Sequence, residues 1–139
     1  HASQRRLLRS KFAGIPPKER AAAWALLLRA KEARAAFPGL YRHALSSCNN
    51  EETRRAMRVI LVDVPRTLSH TPMFAAGSLD QHQDGQGLLL EYNRPASRAP
   101  RQQLARILIA YAALDSTVSY CQGMSSVAGM LLLAGIPEE

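Results

Sequence analysis

The sequence is poor in cysteine, and neither Cys48 nor Cys121 belongs to a C-x-x-C pair. His43, His70 and His82 do not stand around them at zinc-ligand spacing, so two reduced thiols are expected rather than a zinc centre or a disulfide framework. Long hydrophobic runs are missing too. The longest apolar stretch, residues 127–136, falls well short of the ~20 residues that a bilayer-spanning helix needs. No apolar leader opens the chain, where Arg5, Arg6 and Arg9 crowd the first residues, and a cytosolic location is the expectation. There is no G-x-x-x-x-G-K-[ST] loop to cradle phosphates, which argues against a nucleotide-binding protein of the P-loop kind. Ser125 and Ser126 near Gly123 do not make a G-x-S-x-G elbow, so ordinary hydrolase chemistry has no support. Aromatic residues are few and do not interleave with arginines, and nothing in the sequence favours nucleic acid as a partner. Neither a convincing strand nor an internal repeat is present.

What remains is the composition of a folded protein. The chain has 139 residues, 47% of them hydrophobic and 21% charged, which fits one domain or part of one and excludes disorder as the main state. Its net charge of +7 is uneven: residues 1–66 hold 14 Lys and Arg against 5 acids, and residues 67–139 hold 4 against 6. A basic first half suits an acidic protein face, phosphate groups or an anionic membrane surface, and charge alone does not choose among them.

The pattern along the chain is helical. Gly14-Ile15-Pro16-Pro17 signals a turn, and Pro17 suits the first position of an Ala-rich helix over residues 17–36, which Phe37-Pro38-Gly39 ends. A short helix is expected around residues 41–45. Asn49 or Asn50 can cap another, with Glu51 and Glu52 at the positive end of its dipole, running to about Asp63. Val64 precedes Pro65 and is expected to leave helical geometry, so that Arg66 emerges just past a helix end. Residues 69–100 read mostly as loop, with a short turn of helix at 88–92. Leu104, Ile107, Leu108, Tyr111, Leu114 and Val118 then recur at helical spacing. After a break at 119–123, residues 124–133 are apolar nearly all round and read as a core helix.

Within the loop, Asp80, His82, Asp84, Gly85 and Glu91 nearly reproduce a calcium-loop spacing. The flanks offer no helices, and His82 replaces an oxygen ligand, so a solvated loop is the reading and no metal site is expected.

Three other segments belong together: G-I-P-x-x-x-R-x-x-x-W from Gly14 through Arg20 to Trp24, I-x-x-D-x-x-R from Ile60 through Asp63 to Arg66, and Y-x-Q-G-M from Tyr120 through Gln122 and Gly123 to Met124. In this order and spacing they resemble the TBC-domain family of GTPase-activating proteins for Rab GTPases, and the likeness extends over residues 14–134. It implies an all-α fold, with residues 1–13 as a basic lead-in and residues 14–139 as the N-terminal half of a helical TBC-type domain whose remainder is absent. It also implies a Rab-family small GTPase as partner, with Arg66 and Gln122 as catalytic fingers supplied in trans. GTP and Mg²⁺ then belong to the partner, the chain needs no cofactor and has no independent turnover, and any membrane association is peripheral, on endomembranes, through the partner.

The residue types suit that chemistry. A planar guanidinium offsets the charge that spreads over phosphoryl oxygens during GTP hydrolysis. A carboxamide donates and accepts hydrogen bonds at once, as aligning an attacking water requires. Read without the motifs, Arg66 could equally form a helix-end ion pair with Asp63, and Gln122 could satisfy backbone groups at a helix junction. With them, Asp63 reads as the partner that orients Arg66, Tyr120 as a packing and positioning residue, and Gly123 as a site of close approach or positive φ. Arg20 and Trp24 read as structural, one ion-pairing and one packing in the core. The chain departs from the family at Asp115, where Asn is usual, at Ser119, where Gly is usual, and at Ser125-Ser126, where Asn-Asp is common. A catalytically inactive scaffold that binds a small GTPase or another protein is the alternative. A basic module for anionic lipid or nucleic acid is a more distant one.

Overall fold

The computed structural model describes residues 14–75 and 99–138. The basic lead-in of residues 1–13, the calcium-like loop of residues 80–91 and the turn expected at 88–92 lie outside the described residues. Those described form six α-helices and no strand. The helices are α1 (Arg20–Leu27), α2 (Ala30–Ala36), α3 (Leu40–Ser46), α4 (Glu51–Asp63), α5 (Pro100–Leu114) and α6 (Met124–Leu133), with 3-10 turns at Pro17–Glu19 and Val64–Arg66. The all-α expectation holds.

The helix starts follow local chemistry. The Asn50 side chain accepts a hydrogen bond from the Thr53 amide at 2.7 Å and so caps α4, with Glu51 and Glu52 in its first turn. Pro100 opens α5 at a position where its missing N–H costs nothing.

Two local expectations fail. The helix expected over residues 17–36 is broken at Leu28 and Arg29, where Arg29 takes a left-handed conformation (φ 54°) and its amide bonds back to Leu26. Past Pro17 the segment has no Gly or Pro to signal a break. It also buries almost nothing, Ala23 in α1 and no residue of α2, so packing does not hold one continuous rod together. Val64 stays helical (φ −54°, ψ −47°) despite preceding Pro65. Its side chain is fully buried, and sealing a valine from water is worth about 1.5–3 kcal/mol, which offsets the pre-proline preference for extended backbone.

Helix α5 is the centre of the fold, with α3, α4 and α6 packed around it. The expected stripe is rotated by about one residue, because the buried face is Leu104, Ala105, Leu108, Ile109 and Ala112 while Tyr111 and Leu114 are exposed, and Val118 lies past the helix end. Opposite it, α4 contributes Ala56, Met57, Ile60 and Leu61, and Phe74 is buried in the same cluster. The expected core helix α6 buries only Ser125, Ala128, Gly129 and Leu132. Its small residues face inward and let the backbones approach, while Val127 and Met130 remain 56% and 47% exposed.

A buried charge cluster ties the chain's later part to its earlier part. Arg106 of α5 makes a two-pronged ion pair with Glu138, its Nη2 donating to Oε2 at 2.7 Å, and the Tyr41 hydroxyl of α3 donates to the same carboxylate. Burial first, then the hydrogen bond and charge of Glu138, raise the Tyr41 pKa well above the ordinary phenol value. Beside the cluster, Phe37, Leu40, Ile107, Tyr111 and Leu114 line an apolar cavity of about 340 Å³ between α2, α3 and α5.

Candidate functional site

Arg66 ends the 3-10 turn that prolongs α4, and its side chain is exposed. Among the described residues it forms no ion pair and no side-chain hydrogen bond. The backbone around it is held firmly. On the upstream side Val64 is sealed in the core. On the downstream side Thr67 is buried, with its amide bonded to the carbonyls of Asp63 at 3.0 Å and Val64 at 3.1 Å and its hydroxyl to Asp63 at 2.8 Å. Leu68 then turns the chain through a left-handed conformation, φ 51°, which costs a non-glycine residue roughly 1–2 kcal/mol.

Gln122 sits in the turn that opens α6 and is exposed, as is Cys121 beside it. The Met124 amide closes this turn on the Cys121 carbonyl at 3.2 Å. Gly123 occupies its third position with φ 103°, where only glycine is free of backbone strain. A Cβ built there would meet nothing within 4 Å. Positive φ, not close approach, is therefore what this glycine supplies.

One hydrogen bond joins the two turns: the Tyr120 hydroxyl donates to Asp63 Oδ2 at 2.8 Å. Asp63 therefore does not orient Arg66 through an ion pair; its carboxylate holds the strand of chain leading to Gln122. The Tyr120 hydroxyl is kept protonated above its ordinary value, mainly by burial and then by Asp63, with a hydrogen bond from Ser125 acting the other way.

The first motif is placed differently from its sequence reading. Arg20 donates Nε to the Ile15 carbonyl at 3.0 Å and closes the Gly14-Ile15-Pro16 turn, so its partner is backbone rather than an acid. Trp24 is half-buried and outside the central core. Both lie in the weakly buried α1 layer. Among the described residues no cluster of His, Cys, Asp and Glu is arranged to hold a metal ion, and no helix is long and apolar enough to cross a membrane.

Two residues near the site, Gly129 and Leu68, were not legible in the sequence. Gly129 of α6 faces the chain leaving Arg66, and a Cβ there would lie 2.9 Å from Leu68 Cδ1 and 3.4 Å from Thr67 Cγ2. Leu68 looks like an ordinary apolar residue until its φ is known. Ser119 has φ 53°, which gives a physical reason for the glycine that the resembled family usually has immediately before this tyrosine. The departure at Asp115 is structurally sound: Oδ1 accepts from the Thr117 and Val118 amides at 3.1 Å each, turning the chain out of α5.

Comparison with known proteins agrees with the motifs. The Rab-GTPase-TBC domain family matches residues 17–139. The chain is similar to TBC1 domain family member 1 of Homo sapiens, 32% identical over 133 residues, which is 91% of this chain and 9% of that protein. It is 30% identical over 138 residues to TBC1 domain family member 2A of Bos taurus, covering 99% of this chain and 12% of that one. With Growth hormone-regulated TBC protein 1 of Xenopus tropicalis it shares 25% identity over 126 residues, 91% of this chain and 31% of the relative. No solved structure matches significantly. The chain spans a minor part of each relative's length, and the matched region contains both exposed turns. By this match over residues 17–139, the chain belongs to the Rab-GTPase-TBC domain family.

Proposed function

We propose that the chain carries the catalytic turns of a GTPase-activating protein that accelerates GTP hydrolysis by a Rab-type GTPase. The observation that carries this reading is the pairing of Arg66 and Gln122 as exposed side chains, without partners of their own among the described residues, on two turns tethered by the Tyr120–Asp63 hydrogen bond.

In this reading the partner GTPase holds GTP and Mg²⁺, and the chain adds two groups. Arg66 brings its guanidinium to the phosphoryl oxygens, where a fixed cation stabilises charge that grows in the transition state. Gln122 accepts a hydrogen bond from the attacking water and donates one back toward the phosphate, which sets the line of attack. The chain forms no covalent bond and turns over nothing by itself. Its work takes place in the cytoplasm, at endomembranes that the partner occupies during vesicle traffic.

The test is single-turnover GTP hydrolysis by a panel of Rab GTPases in the presence of the full-length protein. At least one should hydrolyse faster, and lose that acceleration with Arg66→Ala while still binding the protein. A GTPase that binds without any change in rate across the whole panel would replace this reading with a non-catalytic scaffold.

A further inference from the structure

Arg66 has no ion pair or side-chain hydrogen bond among the described residues to aim it, so the direction of its side chain is set by its backbone. Upstream, the backbone is fixed by the burial of Val64 and by Asp63, which Tyr120 holds. Downstream, the chain passes through Leu68 at φ 51°. A leucine keeps that conformation only where its surroundings over-determine it. Here they do so from two sides. The Leu68 carbonyl accepts both the Thr71 amide at 2.8 Å and the Thr71 hydroxyl at 2.7 Å. Its side chain lies on the bare backbone of α6 at Gly129, where even one added carbon would stand 2.9 Å from Cδ1.

We propose that Leu68 and Gly129 are positioning residues for Arg66: the seat of Leu68 on the bare face of Gly129 fixes the path of the chain leaving Arg66 and, through α6, its spacing from Gln122. This rests on the finger function proposed above for Arg66. Gly129 lies on α6, the helix that begins two residues after Gln122. The segment that runs from Tyr120 through Gln122 into α6 therefore grips the Arg66 turn on both sides, at Asp63 through Tyr120 and at Leu68 through Gly129. Arg66 and Gln122 thus share one reference element.

The experiment measures stimulated hydrolysis by the full-length protein at increasing concentration, which separates the saturating rate from half-saturation. Leu68→Ala should lower the saturating rate about tenfold and leave half-saturation within about twofold, because a displacement well under 1 Å already disturbs a positioned catalytic group. Leu68→Met, which can refill the seat, should keep most of the rate. Gly129→Ala approaches the same contact from the other side and should slow the reaction in the same sense, about threefold. The decisive arm combines Leu68→Ala with Arg66→Ala: a residue acting through Arg66 adds no further loss once Arg66 is gone. If Leu68→Ala and Gly129→Ala both keep the wild-type rate while Arg66→Ala loses it, the positioning inference is wrong and the finger reading stands. If Leu68→Ala slows the reaction equally with and without Arg66, Leu68 is merely structural. If Arg66→Ala itself keeps the wild-type rate, the finger reading is what fails.

Discussion

The Arg66 turn and the Gln122 turn present exposed polar side chains by different means. Around Arg66 the chain is sealed and strained: Val64 is fully buried, Thr67 makes three hydrogen bonds back to the end of α4, and Leu68 is held left-handed against α6. Around Gln122 the chain is held by its neighbours, Tyr120 bonded to Asp63 and both Tyr120 and Met124 packed against the core. Its turn is closed by one backbone hydrogen bond and made possible by one glycine. A long, flexible arginine needs a rigid base to arrive at one place, since the side chain itself carries about 2 kcal/mol of rotamer entropy. Gln122, two residues before α6, is aimed by the turn that Gly123 makes. The difference teaches that both turns are secured by tertiary packing, one through a strained backbone beside buried residues and the other through a glycine turn between two packed side chains.

Mutations separate the two turns, and the largest effect should come from Arg66. Arg66→Ala should reduce stimulated hydrolysis by about 10³-fold with little change in melting temperature, and Arg66→Lys should restore little, because a point charge does not reproduce the planar fork. An unchanged rate would remove the Arg66 turn from the mechanism. Gln122→Ala should cost about 10²-fold, measured in the same assay, since orientation of water is lost while the electrostatic contribution remains. If it proves harmless, the partner orients its own water and the comparison reduces to one catalytic turn.

The tether between the turns should matter less than either. Tyr120→Phe removes the 2.8 Å bond to Asp63 and should slow hydrolysis about tenfold, equivalent to about 1.4 kcal/mol. Because the folded pKa of Tyr120 is raised, the bond contributes fully below the unfolded phenol value of about 10 and is lost as pH rises beyond it. Rate profiles of the wild type and Tyr120→Phe should therefore stay parallel through neutral pH. A Tyr120-dependent step near pH 7 would contradict the burial of this hydroxyl. The smallest effect is expected at Ser119, where φ is 53°: Ser119→Gly should raise stability by less than about 1 kcal/mol, as relief of backbone strain is partly cancelled by the greater freedom of glycine when unfolded. Chemical denaturation reads this directly, and a clear loss would show that the serine side chain has a task the backbone geometry does not reveal.

Much of the molecule follows from chain-local chemistry. Asn50, Pro100 and Gly123 act within a turn of their own position, and the helices they start are where capping and glycine rules put them. The three motif segments needed nothing more than order and spacing to indicate the family. What sequence could not decide depends on contacts between residues far apart. Arg106, Glu138 and Tyr41 look like surface residues until α3, α5 and the segment after α6 bring them into one buried cluster. The break at Arg29 arises where burial is too slight to sustain a helix that propensity alone would continue. Asp63 could have met Arg66 three residues away, and it bonds instead to Tyr120, 57 positions along the chain. Leu68 and Gly129 carry no signal separately, because the left-handed turn of one and the bare backbone of the other have meaning only once α6 lies against the chain leaving Arg66. Local propensity selects helices and turns through interactions within a few residues, whereas the aim of a side chain is set by whichever distant backbone packs behind it, and that packing exists only in the folded chain.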